Sequence, residues 1–284
     1  MSGEARLQFT VLGCGSSPGV PRIHGEWGAC DPSNPKNRRT RCSLLVERIG
    51  ERGTTRVVID TSPDFRFQML EAKATNLDAV IYTHSHADHV HGIDDLRQYA
   101  LLQKTRIPVY GDKLTLKHLQ RVFSYCFAAE NGSIYPPICE AREIKAGSLV
   151  TINGEGGAIT VLPIRQVHGP IYTLGFRFGA FDVSGKPTGG GVAYSPDVSD
   201  IEPDQAAMLR DLDVWIIDAL QYRPHISHLS LDQALEWVQK LSARHAYLTH
   251  MHIPLDYETV RNETPEHIEP AHDGLVFEYA IKSA

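Results

Sequence analysis

The chain has 284 residues, 42% of them apolar and 22% charged, with 28 basic against 34 acidic side chains and a formal net charge of -6. That size and apolar fraction suit a well-cored α/β protein, and the acidic balance speaks against a general nucleic-acid binder, which is usually basic. No stretch approaches the roughly 18 to 20 apolar residues that span a bilayer, and the start, MSGEARLQFTVLG, has no cationic segment followed by a long apolar run. A soluble, cytoplasmic protein with no membrane partner is therefore expected. The five cysteines, Cys14, Cys30, Cys42, Cys126 and Cys139, are odd in number and contain no CxxC pair. They do not read as a disulfide framework, and Cys14 and Cys42 suit small buried apolar positions.

Residues 7–12 (LQFTVL) read as a first strand running into GCGSSPGVP, a glycine-rich loop with neither the GxxxxGK[ST] nor the GxGxxG pattern. A long polar loop fills 22–41. Strand character returns at 42–46 and at 55–60, the latter ending in Asp60, and 64–71 reads as a short helix. The apolar run 77–82 delivers THSHADH. A helix is predicted over 93–102, a strand over 107–110 and helical periodicity over 113–127, followed by an excursion across one face over 128–144. In the second half, strand-like runs lead to His168, to Asp197, to Asp218 and to His250, with further strands at 174–178 and 275–280. Residues 230–242 form a helix capped by Ser230, with Leu235, Trp237 and Leu241 on or near its apolar face. Polar residues gather where strands end, which is a layered α/β pattern, and one domain over 1–284 is the simplest account.

His84, His86, Asp88 and His89 fall within six residues at the end of a buried run. Imidazole nitrogen and carboxylate oxygen suit borderline divalent metals. In an extended segment i and i+2 share a side, so His84 and His86 can grip one metal, while a turn into helix swings Asp88 and His89 toward a neighbour. The expected first site is His84, His86, His168 and Asp197; the second is Asp88, His89, Asp197 and His250, with Asp197 bridging. Two such cations, Zn2+ or Mn2+, acidify a shared water and clamp attacking and leaving oxygens, which suits phosphodiester hydrolysis. Asp60 reads either as a partner orienting a ligand histidine or as a turn cap, and Asp218 has the same two readings. His228, just before the Ser230 helix, is free for proton transfer or stands as a solvent-exposed loop histidine, with His225 competing for the role. His252 competes with His250 as ligand, and His91 adjoins the cluster. Arg39 or Arg41 is a candidate for holding phosphate.

The HxHxDH run followed by an isolated His, Asp and His resembles the metallo-β-lactamase fold hydrolases. The resemblance covers nearly the whole chain and implies a four-layer αββα sandwich with the metals at one edge of the two sheets. GVP at 19–21, RR at 38–39 before CS at 42–43, ID at 59–60, SPD at 195–197, Asp218, His228 before a helix and LTH at 248–250 resemble the phosphodiesterase family of phosphonate breakdown. That likeness implies cleavage of a small cyclic or nucleotide-like phosphodiester such as 5-phosphoribosyl 1,2-cyclic phosphate. It implies His228 as general acid, with Asp88 the second catalytic candidate beside its place as ligand. The family also carries a structural zinc in its early loop, held mainly by three cysteines; here only Cys30 matches, Gly25 and Trp27 stand at the other two positions, and His24, Asp31 and His252 are the remaining donors nearby.

Other readings on the same scaffold are a tRNA 3′-processing endoribonuclease and a non-catalytic nucleotide-binding protein. No long basic insertion of the kind a tRNA-binding arm needs is visible, and the net charge weighs against extensive phosphate contacts. A homodimer is the expected assembly.

Overall fold

The computed structural model describes residues 6–281 except 130, 131 and 133. The first half of the chain supplies β1 (Arg6–Gly13), β2 (Ser43–Gly50), β3 (Gly53–Ile59), β4 (Ala79–Ile81), β5 (Ile107–Gly111) and β6 (Cys139–Glu143). The second supplies β7 (Val150–Ile152), β8 (Ile159–His168), β9 (Ile171–Phe178), β10 (Val192–Ser195), β11 (Val214–Asp218), β12 (Ala246–Thr249), β13 (Ile268–Pro270) and β14 (Leu275–Ala280). They build two seven-stranded sheets, ordered β14-β1-β2-β3-β4-β5-β6 and β13-β12-β11-β10-β9-β8-β7. Each sheet is antiparallel on one side and parallel on the other: β3 to β6 run parallel in the first, and β10 to β13 in the second. Helices flank the sheets, giving the αββα sandwich of the metallo-β-lactamase fold.

The strand sequences explain the layering. Along β3 and β4, Val57, Ile59, Ala79 and Ile81 join the core between the sheets, while Val58, Val80 and the following Tyr82 join a second core under the helices. Side chains alternate across a strand, so a strand buried on both faces must be apolar at every position. The helices over the first sheet are α1 (Phe65–Glu71), α2 (Ala87–Val90), α3 (Leu96–Gln103), α4 (Lys113–Val122) and α5 (Ser124–Phe127). Phe65, Met69, Leu96, Leu116 and Leu119 pack down from α1, α3 and α4. In the second half come α6 (Pro203–Ala206), α7 (Leu231–Lys240) and α8 (Tyr257–Glu263).

Three details differ from the sequence expectation. The helical periodicity over 113–127 is broken at Phe123, whose backbone (φ -117°, ψ 43°) leaves the helical region between α4 and α5. The inward stripe of α7 is Leu231, Ala234 and Val238, continued by Leu241; Leu235 and Trp237 lie at its half-buried margin. Part of the excursion over 128–144 is strand β6, paired parallel to β5. All five cysteines are free and buried, and among the described residues no helix is long and apolar enough to cross a membrane.

Candidate metal centre

In open parallel sheets, ligands bind beyond the carboxyl ends of the strands, and here those ends from both sheets converge. Asp60 follows β3, His84 lies just past β4, Asp197 follows β10, Asp218 ends β11 and His250 follows β12, while His168 ends β8. His84 to His86 leaves β4 extended, and His86 (φ -65°, ψ 151°) is the N-cap of α2, so Asp88 and His89 lie inside its single turn. One donor atom from each residue lies within 4.8 Å of the others in the triads His84–His86–His168, His84–His89–Asp197 and Asp88–His89–His250. Asp197 sits between the groups: its Oδ2 is 3.0 Å from His89 Nε2, and its Oδ1 is 3.5 Å from His250 Nε2 and 3.8 Å from His168 Nε2. All seven sequence-predicted ligand candidates are therefore brought together, in clusters consistent with a binuclear divalent-metal centre.

The surrounding hydrogen bonds fix the rings. His89 Nδ1 donates to Asp60 Oδ2 at 2.7 Å. The same carboxylate accepts the Thr83 amide and hydroxyl, each at 2.8 Å, and Thr83 Oγ1 in turn lies 2.9 Å from His84 Nδ1. With the Thr83 proton committed to Asp60, its oxygen accepts from His84. His168 Nδ1 donates to the Ser227 carbonyl at 2.6 Å. In all three imidazoles the proton sits on Nδ1, leaving the Nε2 lone pair for the cavity, the arrangement that orients metal-bound histidines. Burial pushes the His84 imidazole well below its usual range and that of His168 down to about 4, so both favour the neutral form that offers a lone pair. Nothing in the sequence marked Thr83 or the Ser227 carbonyl, because their partners are set by the fold.

Whether these residues fit metal ions is answered by the atoms left over. The buried Nε2 atoms of His84, His89 and His250 and Oδ2 of Asp197 have no hydrogen-bond partner. An unsatisfied buried polar atom costs about 1–3 kcal/mol. Four of them converging from two sheets, acceptors without donors, match what divalent cations supply.

His228 is 8% exposed, with its Nδ1 donating to Asp218 Oδ2 at 2.7 Å and its Nε2 4.0 Å from Asp197 Oδ1. Its ring stacks on His250 at 4.4 Å with a 13° interplanar angle. Asp218 also accepts the Val198 amide at 3.0 Å. The solvent-exposed reading of His228 and the turn-cap readings of Asp60 and Asp218 thus give way to histidine–carboxylate pairs. His225 lies at the exposed rim, where its Nδ1 is 3.2 Å from Ser227 Oγ.

Several neighbours have other work. Arg39 is 1% exposed and spends Nη2 on Asn37 Oδ1 at 3.1 Å and Nη1 on Cys30 Sγ at 3.8 Å, so it braces the early loop and is not at the metal cluster. His252 is turned to Ser16 Oγ and Arg22 Nη2, at 2.9 and 2.7 Å, away from the cluster that His250 joins. His91 is exposed and meets the Phe123 ring edge-on at 5.7 Å. Cys30 is buried in a small apolar cluster with Val20, Ile253 and Trp27, its thiol near the Ile253 and Leu255 carbonyls, and no metal-binding group among the described residues includes it.

Residues 55–251 match the Beta-lactamase superfamily domain. A new diphosphatase from the PhnP family superposes with a TM-score of 0.82 at 34% sequence identity, over 96% of this chain and 97% of that one. The chain belongs to the PhnP family of the metallo-β-lactamase superfamily. With the clusters intact, this PhnP-family member is a metal-dependent hydrolase. It is also 32% identical over 274 residues to an octanoyltransferase of Porphyromonas gingivalis (strain ATCC BAA-308 / W83); that match covers 95% of this chain and 51% of the relative, so the chain spans about half of the relative's length. Human tRNase Z, short form, shares the fold alone, with a TM-score of 0.63 at 16% identity over 95% of this chain and 98% of that one.

Proposed function

We propose that this PhnP-family protein hydrolyses a small cyclic or nucleotide-like phosphodiester at two divalent cations, Zn2+ or Mn2+. His84, His86, His168 and Asp197 would hold one, and Asp88, His89, Asp197 and His250 the other. Cations so held neutralise charge on the phosphoryl oxygens and acidify a shared water.

The observation that carries the reading is the His228–Asp218 pair set against this cluster. Asp218 accepts a hydrogen bond from Nδ1, which fixes the tautomer and ring plane, while burial holds the imidazole below its usual range, so a proton on Nε2 is readily given up. Nε2 then faces the reacting group and delivers its proton to the departing oxygen, as an alkoxide leaving group requires. Asp88 is steadied by Ser17, whose hydroxyl donates to its Oδ2 at 2.6 Å.

A second reading, cleavage of a phosphoanhydride, is favoured by the diphosphatase of 34% identity. The two separate on the leaving group, because phosphate departs without a proton far more readily than an alkoxide. Metal-reconstituted enzyme should be assayed on 2′,3′- and 3′,5′-cyclic nucleotides, ribose 1,2-cyclic phosphates, a diphosphate ester, bis(p-nitrophenyl) phosphate and a short RNA. On an alkoxide-releasing diester, His228→Ala should lose about 10²- to 10⁴-fold in kcat with metal content retained. Unchanged turnover of every accepted diester in that variant would remove His228 from the mechanism.

A further inference from the structure

The structural zinc that the phosphonate-family resemblance implies does not fit the early loop of this chain. Of the three cysteine positions only Cys30 carries a thiol, whereas a structural zinc is held by four ligands, mostly thiolate or imidazole. The Cys30 thiol is buried and donates to the Ile253 and Leu255 carbonyls, each at 3.4 Å. Burial raises it above the ordinary thiol range, away from the thiolate that zinc takes. The neighbouring donors are engaged as well: His24 Nε2 lies 3.1 Å from Glu26 Oε2, and both Asp31 carboxylate oxygens accept from the Ser33 hydroxyl.

Arginine meets these positions instead. Arg39 Nη1 donates to Cys30 Sγ at 3.8 Å. Arg22 Nη2 donates to His252 Nε2 at 2.7 Å; a guanidinium has no acceptor, so the His252 proton sits on Nδ1, 2.9 Å from Ser16 Oγ. The Arg38 guanidinium lies over the Trp27 ring, 5.6 Å from its centroid. The charge of the buried Arg39 is met through Asn37, which accepts from Nη2 at 3.1 Å and donates to Asp256 Oδ2 at 2.6 Å. That same oxygen accepts the Asp31 amide at 3.1 Å, and the Ala29 amide meets the Ile253 carbonyl at 2.9 Å. The contacts join the loop to residues 252–256. A guanidinium can make them because its planar fork of donors is satisfied by neutral acceptors and needs no thiolate.

We infer that Arg22, Arg38 and Arg39 take the place of the structural ion: guanidinium contacts fasten the early loop to the segment after His250, and the loop takes no metal of its own. The loop carries Ser17, whose hydroxyl reaches Asp88, so this wall of the cluster is held without a structural zinc. The inference does not depend on which ester the cluster cleaves.

Two measurements test it on the full, zinc-loaded chain. Zinc bound per chain should be equal in wild type and Cys30→Ala, whatever number of ions the cluster holds; a content lower by one ion in Cys30→Ala overturns the inference. Amide hydrogen exchange then reads the fastening itself. In Arg39→Gln the amides of Val20 and Ala29 should exchange faster by about tenfold or more, while those of β2 keep their rates, and added zinc should not restore the protection. Arg39→Lys, which keeps the charge without the fork, should be intermediate. Unchanged exchange at Val20 and Ala29 in Arg39→Gln, or protection regained with zinc, overturns the arginine bracket. Thermal melts establish that the variants fold. Should Arg39→Gln not fold, Arg22→Gln, at a half-buried position, decides by the same two amides: faster exchange upholds the bracket and unchanged exchange overturns it.

Discussion

Asp60 occupies the left-handed backbone region at φ 63°, a conformation that costs a non-glycine residue of order 1–3 kcal/mol and persists only where the surroundings impose it. Its amide bonds to Ile81, and its carboxylate collects the Thr83 amide, the Thr83 hydroxyl and His89 Nδ1. His250, a candidate ligand, is left-handed too, at φ 58°. One carboxylate thus sets the orientation of His89 directly and of His84 through Thr83. Asp60→Asn keeps the shape and tolerates the same backbone conformation but weakens acceptance from His89. Metal affinity, read by competition with a chromophoric chelator, should fall by about 10- to 100-fold while the fold is kept; an unchanged affinity would leave Asp60 as a turn residue. The convergence of the seven candidate ligands was legible because each is a His or Asp at or just past the end of an apolar run. Asp60 read either as a partner orienting a histidine or as a turn cap, and the choice between them was not legible, since His89 lies 29 positions on and only the parallel pairing of β3 with β4 brings the two together. Arg39 misled for the converse reason: an arginine in a polar loop reads as exposed, and burial is a property of the fold.

Helix α7 begins three residues after His228, with its N-cap Ser230 two residues on, so its first turn anchors the segment that carries the proposed acid. Ser230 Oγ accepts the Gln233 amide at 3.3 Å, and Gln233 Oε1 accepts the Ser230 amide at 2.9 Å, a reciprocal capping box. Ser230→Ala removes one half of it and should cost about 1 kcal/mol, a lowering of the melting temperature by about 2–4 °C. A change within experimental error would show that tertiary packing alone holds this turn. Strands buried on both faces and this capped helix were readable because apolar period and cap chemistry are local. The strands that escaped, β6, β7 and β13, are all sheet edges. Each pairs on one side only; β7 and β13 have three residues each, and β6 buries only Cys139 of its five. Such segments carry little pattern of their own and become strands only by pairing with a neighbour.

The candidate metal centre straddles the two sheets: His84, His86, Asp88 and His89 come from the end of β4 in the first, and His168, Asp197 and His250 from β8, β10 and β12 in the second. Cations bound there would tie the layers together at the edge where both sheets present unpartnered polar atoms. A ligand that binds the native state and not the unfolded chain stabilises by RT ln(1 + [L]/Kd), about 2.7 kcal/mol at a hundredfold excess over Kd and about 4.1 at a thousandfold. Chelation should therefore lower the melting temperature, and re-addition of Zn2+ or Mn2+ should raise it with the logarithm of free metal, more steeply when two ions bind than when one does. Removing the carboxylate proposed to bridge the two ions separates this from a generic ion effect. In Asp197→Asn both sites lose a charged ligand, so the metal-dependent rise should shrink by more than in His86→Ala, which lies at the exposed margin of one site. If the two variants kept the same rise as wild type, the cations would not be bound between the sheets, and the ligand assignment would have to be abandoned along with the two-metal chemistry built on it.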